Sequence, residues 1–341
     1  MTRPSLCPVG AFPPALVAIA LILAFHPVVA AAGPRPVIFD TDICDDIDDT
    51  WALALLLQSP ELDCKLVTTA VGNTEAKAKV VAKFLQRAGR TEIPVGVGVK
   101  QHDRSHRQIG WAQDYDLSSY PGTVYSDGVQ AMIATIMNSA QRITVIAVGP
   151  LPNIGEALRR EPAIAEKADF IGMHGSVFVG YGGKDKPDPE YNVVADAKAA
   201  RMAFTAPWRV TITPLDTCGL VHLRGDKYQK LLERDSIITN SLLENYRIWH
   251  REGLRNRKDV DKGQIDRLVE QQLRSRSTTL FDTVAIYLAI DRGLVQMQRL
   301  PIRITDDGFT RVEEGAKGVD CAVKWTDLGA YEDWLVQRLT K

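Results

Sequence analysis

Short apolar runs and longer amphipathic stretches take turns along most of this chain. PVIFDT (36–41) has the continuous apolar character of a strand buried on both faces, and DDTWALALLLQS (48–59) follows as a helix opened by acidic residues. KLVTTAVG predicts the next strand, TEAKAKVVAKFLQRAG a helix, and IPVGVG a short Gly-rich strand. Further on, SDGVQAMIATIMNSA predicts a helix and RITVIAVG a strand that runs into a Gly-Pro pair. NIGEALRREP, ADFIGM, VADAKAARMAFTA and WRVTITPL continue the alternation. Helical stretches near 227–249 and 262–272 come next, then a helix in TTLFDTVAIYLAID and late strands in VQMQRLPIRI and CAVKWT. This rhythm, without an internal repeat or linker, predicts an α/β fold with a single doubly wound, mostly parallel sheet flanked by helices. Ligands of such folds sit beyond the carboxyl ends of the strands.

Two segments depart from the rhythm. Residues 1–32 carry Arg3, an apolar run from Ala15 to Phe25 and small residues at Ala30–Ala32, the pattern of a secretory signal peptide cleaved near Ala30–Gly33. A retained membrane anchor is the alternative, but the run is short for a span, and no later stretch is apolar enough to cross a bilayer. The processed chain is therefore expected to have no stable membrane span and to be secreted or periplasmic. The second segment, residues 100–125, is polar and aromatic without a period, as in a long surface loop that carries binding residues. It offers His102, His106, Trp111, Asp114 and Tyr115.

Composition narrows the classes. With 341 residues, 45% of them hydrophobic, the chain can bury a large core, and a net charge of −1 supplies no basic field for nucleic acid. Its six histidines are scattered, with no zinc-type spacing. Beyond the signal segment Cys44, Cys64, Cys218 and Cys321 remain, either free and buried or paired in a way that sequence does not choose.

The chemistry concentrates where the first strand ends. Asp40, Asp42, Asp45, Asp46, Asp48 and Asp49 stand between two apolar segments, and their repulsion has to be offset. An EF-hand needs Gly at the sixth position of its loop and Glu at the twelfth, but counting from Asp40 these hold Asp45 and Trp51. FDTDIC resembles the opening of aspartyl phosphatases, yet so many carboxylates beside a phosphate dianion repel it unless a metal intervenes. A hard divalent ion held by carboxylates resolves the repulsion and makes a bound water a better nucleophile. An acidic helix start would account for Asp48 or Asp49 alone, not for Asp40 and Asp42 at the end of an apolar strand.

VIFDTDICDDIDDTWALALLL resembles the signature of the inosine-uridine-preferring nucleoside hydrolase family, roughly D-T-D-P-G-x-D-D-A-x-A-L, with two more residues between Asp42 and the final acid pair. TTAVGNTEAKAKVV, VIAVGPLPNIGEAL, PEYNVVADAKAA and TTLFDTVAIYLA resemble further segments of that family, in order. The resemblance covers the chain from about Pro36 to its end and implies a nucleoside-hydrolase-like catalytic domain over 34–341. It implies Ca²⁺-dependent cleavage of the N-glycosidic bond of a ribonucleoside, with Asp42 as base and metal ligand. Asp49, Asp282 and the carbonyl of Val148 would complete the cage. Asp48, Asn73, Glu190 and Asn192 would bind the ribose, while Asp40 would fix the loop or sit behind the metal. Asp46 competes with Asp48, because the longer loop leaves it four residues after Asp42. The family's oligomers make a homo-oligomer a further expectation, and its partner is a small-molecule nucleoside.

Two departures bear on the base. Phe281 stands where many members carry a His that serves the leaving group, and His174 interrupts the family's glycine run. Trp111 is the loop residue best suited to stack on a purine. Two alternatives follow: a hydrolase of another ribosyl or glycosyl compound on the same fold, or a catalytically weak nucleoside- or sugar-binding protein.

Overall fold

The first strand of the chain becomes the middle of its sheet. β1 (Arg35–Thr41) pairs in parallel with β2 (Leu62–Thr69) on one edge and β5 (Ile143–Ala147) on the other. β3 (Val95–Val97) and β4 (Val124–Tyr125) extend the sheet beyond β2, and β6 (Ala168–Met173) and β7 (Val210–Thr213) extend it beyond β5. β8 (Val295–Ile304), β9 (Thr310–Val312) and β10 (Gly318–Trp325) complete ten strands in the order β4-β3-β2-β1-β5-β6-β7-β10-β8-β9. Among the described strands the antiparallel pairings are those of β8, with β10 and with β9. The computed structural model describes residues 1–2, 33–103 and 107–341. The expected export signal, apart from Met1 and Thr2, and His106 therefore lie outside the described residues.

Strand residues alternate between two cores, as a sheet covered on both faces requires. Val37 and Phe39 of β1 point into one core and Ile38 into the other; Ile146 and Val145 of β5 divide in the same way. The larger core holds the Asp48–Leu57 and Thr283–Ile290 helices, in which every residue is buried apart from the terminal Ile290. Pro34–Lys341 forms one unit by itself, and no helix of the described residues is long and apolar enough to cross a membrane.

The expected fold class is the observed one, with local differences. The helical stretch near 227–249 is two helices, Gly225–Leu232 and Ile237–Arg255, separated where Ser236 caps the second by accepting from the Thr239 N–H at 3.1 Å. The helix expected in TTLFDTVAIYLAID begins only at Thr283, because the Leu280 N–H is committed to the Val221 carbonyl. β4, β9 and the Leu328–Leu339 helix are additions to the elements legible above. Strands of two or three residues carry no period, but that helix buries Tyr331, Leu335 and Leu339 at helical spacing and its signal is plain in retrospect.

Chain order reverses at β1: successive strands leave it toward β2 on one side and toward β5 on the other. Such a switch point opens a crevice at the carboxyl ends of the two diverging strands, which here are Thr41 and Ala147.

Candidate functional site

After β1 the chain turns through 42–47 before the Asp48–Leu57 helix begins. The Asp45 N–H returns to the Asp42 carbonyl at 3.3 Å, and Cys44 adopts a φ of 85°, a region in which most side chains are strained. Thr41 fixes both ends of this turn: its hydroxyl donates to the Asp49 carboxylate and accepts from the Ile43 N–H at 3.0 Å.

Asp282 immediately precedes the Thr283–Ile290 helix, which packs beside the Asp48–Leu57 helix. Both N-termini therefore open on the crevice, where their exposed N–H groups and dipoles favour negative charge. The Asp282 N–H points at Asp48 Oδ2, 3.4 Å away. Asp48, Asp49 and Asp282 can each place a carboxylate oxygen within 4.8 Å of the others. Asp48, expected on the ribose, thus belongs to the tightest acid group, while Asp42 approaches it from the β5 side. Asp42 lies so close to Gly149 that a Cβ there would meet its Oδ1 at 2.4 Å, so only glycine leaves room for this carboxylate.

The opposite wall comes from the 173–192 segment. Glu190 caps the short Tyr191–Ala195 helix, accepting from the N–H groups of Asn192 at 2.7 Å and Gly175 at 3.0 Å. Asn192 Nδ2 donates to the carbonyls of Val148 and Met173, each at 3.0 Å. Both amide hydrogens are then used, and Asn192 meets a ligand through Oδ1 as an acceptor. The Val148 carbonyl keeps a second lone pair. Asp42, Asp46, Asp48, Asp49, Val148, Glu190, Asn192, Phe281 and Asp282 all line a single cavity of about 470 Å³.

Burial and mutual repulsion hold the carboxyls of Asp42, Asp48, Asp49 and Asp282 well above the usual carboxylate range. Each of these four residues is at most 5% exposed; among the described residues the ammonium of Lys77 is hydrogen-bonded into their loop, and Arg107 stands in the cavity wall. Three buried carboxylates whose hard oxygens can come this close together fit a divalent cation such as Ca²⁺ or Mg²⁺. Glu190 is pushed up to about 7 by burial, against the pull of its backbone donors.

Other expected residues sit elsewhere. Asp40 is fully buried behind the cavity, where Oδ1 accepts from Thr68 and from Asn153 Nδ2, Oδ2 has no partner, and burial raises its carboxyl to about 6. It fixes the floor. Asn73 caps the Thr74–Arg87 helix by accepting from the Ala76 N–H at 3.1 Å and is not in the cavity wall. Trp111 is a correction: its indole is buried against Phe84, its Nε1–H is spent on Glu244 at 2.9 Å, and it cannot stack on a base in the cavity. Tyr115 is tied to Gln86 and, like Asp114 and His102, lies outside the cavity wall. His174 is also absent from that wall; it packs between Phe170 and Phe204 in the second core and donates from Nε2 to the Gly149 carbonyl at 3.0 Å. Cys44, Cys64, Cys218 and Cys321 are free and buried.

Arg107, Asn256, Tyr181 and Tyr191 also line the cavity, and nothing in the sequence singled them out. Lys77 did leave a signal, since it interrupts the apolar face of an amphipathic helix whose buried positions include Ala78, Val81 and Phe84.

Residues 37–328 match the model of the inosine-uridine preferring nucleoside hydrolase family. The chain is 28% identical to a pyrimidine-specific ribonucleoside hydrolase, RihA, of Photobacterium profundum, over 235 residues that span 64% of this chain and 73% of that protein. RihA of Escherichia fergusonii is 27% identical over the same shares. In fold, the chain is similar to a plant nucleoside hydrolase with a TM-score of 0.73 at 23% identity, covering 90% of this chain and 99% of that one. A purine-preferring ribonucleoside hydrolase from Gardnerella vaginalis gives a TM-score of 0.70 at 18% identity, covering 90% and 98%.

Proposed function

Because the chain belongs to the inosine-uridine preferring nucleoside hydrolase family and is a hydrolase of N-glycosyl compounds, we propose that it is a calcium-dependent ribonucleoside N-ribohydrolase, exported by a signal peptide in residues 1–32 that is then cleaved off. What supports this most is the meeting of Asp42, Asp48, Asp49 and Asp282 in one cavity with Glu190 and Asn192.

Asp42, Asp49, Asp282 and the Val148 carbonyl would hold the ion, with Asp48 within reach. Bound there, calcium neutralises the cluster and makes an adjacent water easier to deprotonate. Asp42 accepts the proton of the attacking water as its oxygen bonds the anomeric carbon. The C–N bond breaks with its electron pair passing to the base, and the surrounding carboxylates stabilise the positive charge that develops on the ribosyl ring. Asp48, Glu190 and Asn192 accept hydrogen bonds from ribose hydroxyls and fix the anomeric carbon over Asp42.

The base would lie toward Tyr181, Tyr191 and Phe281. Phe281 has no proton to give, whereas Tyr181, whose ring meets it edge-on at 6.4 Å, keeps its hydroxyl proton because burial raises its pKa. The absence of an imidazole at Phe281 favours, as a second reading, hydrolysis of another N-ribosyl compound with a better leaving group.

The test is release of reducing sugar from inosine, adenosine, guanosine, uridine and cytidine, with calcium and after chelation. Turnover should vanish on chelation, and Asp42→Asn should lower kcat by about 10²–10⁴-fold. No turnover by folded, calcium-loaded protein would sink the nucleoside reading and leave the second.

A further inference from the structure

Lys77 sits on the inner face of the Thr74–Arg87 helix with no exposed surface. A buried ammonium has to satisfy its N–H donors and offset its charge, or it costs far more than its burial returns. Here all three donors are used: Nζ donates to the Asp42 carbonyl at 2.7 Å, to Asp45 Oδ2 at 3.0 Å and to the Ala70 carbonyl at 3.2 Å. Asp42 follows β1 and Ala70 follows β2, so a single side chain ties together the carboxyl ends of neighbouring strands directly beneath the acid turn. We infer that Lys77 is a positioning residue of the site, gripping the main chain of Asp42 from behind and so setting where its carboxylate stands before cation or substrate arrives. This rests on the reading of Asp42 as base and cation ligand.

The geometry separates two roles that a buried lysine in an acidic site can have. A simple countercharge would aim at the carboxylates that surround the cation. Lys77 offsets their charge but spends its hydrogen bonds elsewhere: two of its three bonds are to backbone carbonyls, and the third is to Asp45, the partly exposed acid of the turn. Without Lys77, the Asp42 carbonyl would keep only the 3.3 Å bond from the Asp45 N–H, in a turn that already holds Cys44 in the left-handed region. The two roles also predict opposite signs. Removing a countercharge leaves the carboxylates more electron-rich and tightens cation binding, since the lysine no longer repels the ion. Removing a positioning residue displaces Asp42 and weakens cation binding despite that electrostatic gain.

The experiment compares wild type, Lys77→Met and Asp45→Asn by calorimetric titration of chelated protein with calcium, by kcat and KM on a nucleoside the wild type hydrolyses, and by thermal melting. Lys77→Met should bind calcium about 10-fold or more weakly and lose at least about 10-fold in kcat, the size of effect typical of residues that orient metal ligands, with KM within about 3-fold. Asp45→Asn leaves both carbonyl bonds in place and removes a charge that also lines the cavity beside Asp42, so kcat and calcium affinity should fall, but by less than in Lys77→Met. Calcium binding in Lys77→Met as tight as in wild type, with kcat unchanged, overturns the inference. So does a loss in Asp45→Asn equal to that in Lys77→Met, which would mean that Lys77 acts through that charge and not through the main chain. If Lys77→Met does not fold, Lys77→Gln takes its place in the same measurements under the same limits. A wild type that neither binds calcium nor turns over a nucleoside overturns the proposed function together with this inference.

Discussion

His174 makes the stability of this protein depend on pH in a way that one substitution can isolate. The imidazole is fully buried among Phe170, Phe204 and Gly172, where a Cβ on the glycine would meet Nδ1 at 2.3 Å. Its Nε2–H donates to the Gly149 carbonyl, Nδ1 has no partner, and burial lowers its pKa to about 4 from 6.5. The folded pKa lies below the unfolded one, so between those values the unfolded chain binds more protons. The contribution is intact above pH 6.5 and is lost as pH falls toward 4. At pH ~4.5 the unfolded imidazole is almost fully protonated and the folded one mostly neutral, which makes the loss about 2 to 3 kcal/mol. His174→Gln can still donate to the Gly149 carbonyl but does not titrate. It should be less stable than wild type near pH 7.5 by about 1–2 kcal/mol for imperfect filling of the site. The gap should close and then reverse near pH 4.5. Asp40 and Glu190 have raised pKa values and titrate in the opposite direction, gaining stability as pH falls, but they do so in both proteins and cancel in the difference. Urea unfolding of the two proteins from pH 4.5 to 7.5 reads this directly. A difference constant to within about 0.5 kcal/mol across that range would show that the imidazole is not held neutral by burial.

Three other perturbations probe the turn, the floor and the acid group. Cys44→Gly should be tolerated to within about 1 kcal/mol, because relief of the left-handed φ offsets the lost burial, while Cys44→Val should cost about 2 kcal/mol more; thermal melts of the pair test this. Asn153→Ala removes bonds to Asp40 and to the Thr69 carbonyl, as well as the acceptor of the Val99 N–H, and should destabilise by about 2–4 kcal/mol in chemical unfolding. Asp282→Asn should weaken calcium binding at least about 10-fold by calorimetry while raising the melting temperature of metal-free protein, since it removes a repelling carboxylate from beside Asp48 and Asp49. A lower metal-free melting temperature would count against that repulsion.

The parallel strands were legible because short runs such as VIFDT and ITVIA are largely apolar at consecutive positions, as a sheet covered on both faces accepts. The acid group was legible because Asp40 and Asp42 end an apolar strand, where an acidic helix start cannot account for them. Arg107, Asn256 and Tyr181 were not, since a loop residue or a helix-end residue faces a cavity only through tertiary packing, which leaves no period in the chain. Trp111 misleads for a related reason: an aromatic in a polar loop suggests a surface platform, yet this one turns inward under Lys83 and bonds to Glu244. The choice between Asp46 and Asp48 was open in sequence. Three-dimensionally the two differ clearly, with Asp46 accepting from the N–H of Ile47 at 2.6 Å and Asp48 standing beside Asp282.

The contact between Asp48 and Asp282 spans 234 residues of chain. A ribosome that has delivered the acid turn must therefore translate most of the remaining protein before the third carboxylate can dock. Until then the early aspartates are hydrated and their repulsion is slight. The electrostatic cost of bringing Asp282 to Asp48 and Asp49 falls on the step that seats the Thr283–Ile290 helix beside the Asp48–Leu57 helix. A cation present at that moment favours the seated form in proportion to its concentration. On the proposed calcium site, refolding should accordingly slow in chelator and speed up in millimolar calcium, with the late helix as the segment whose closure responds.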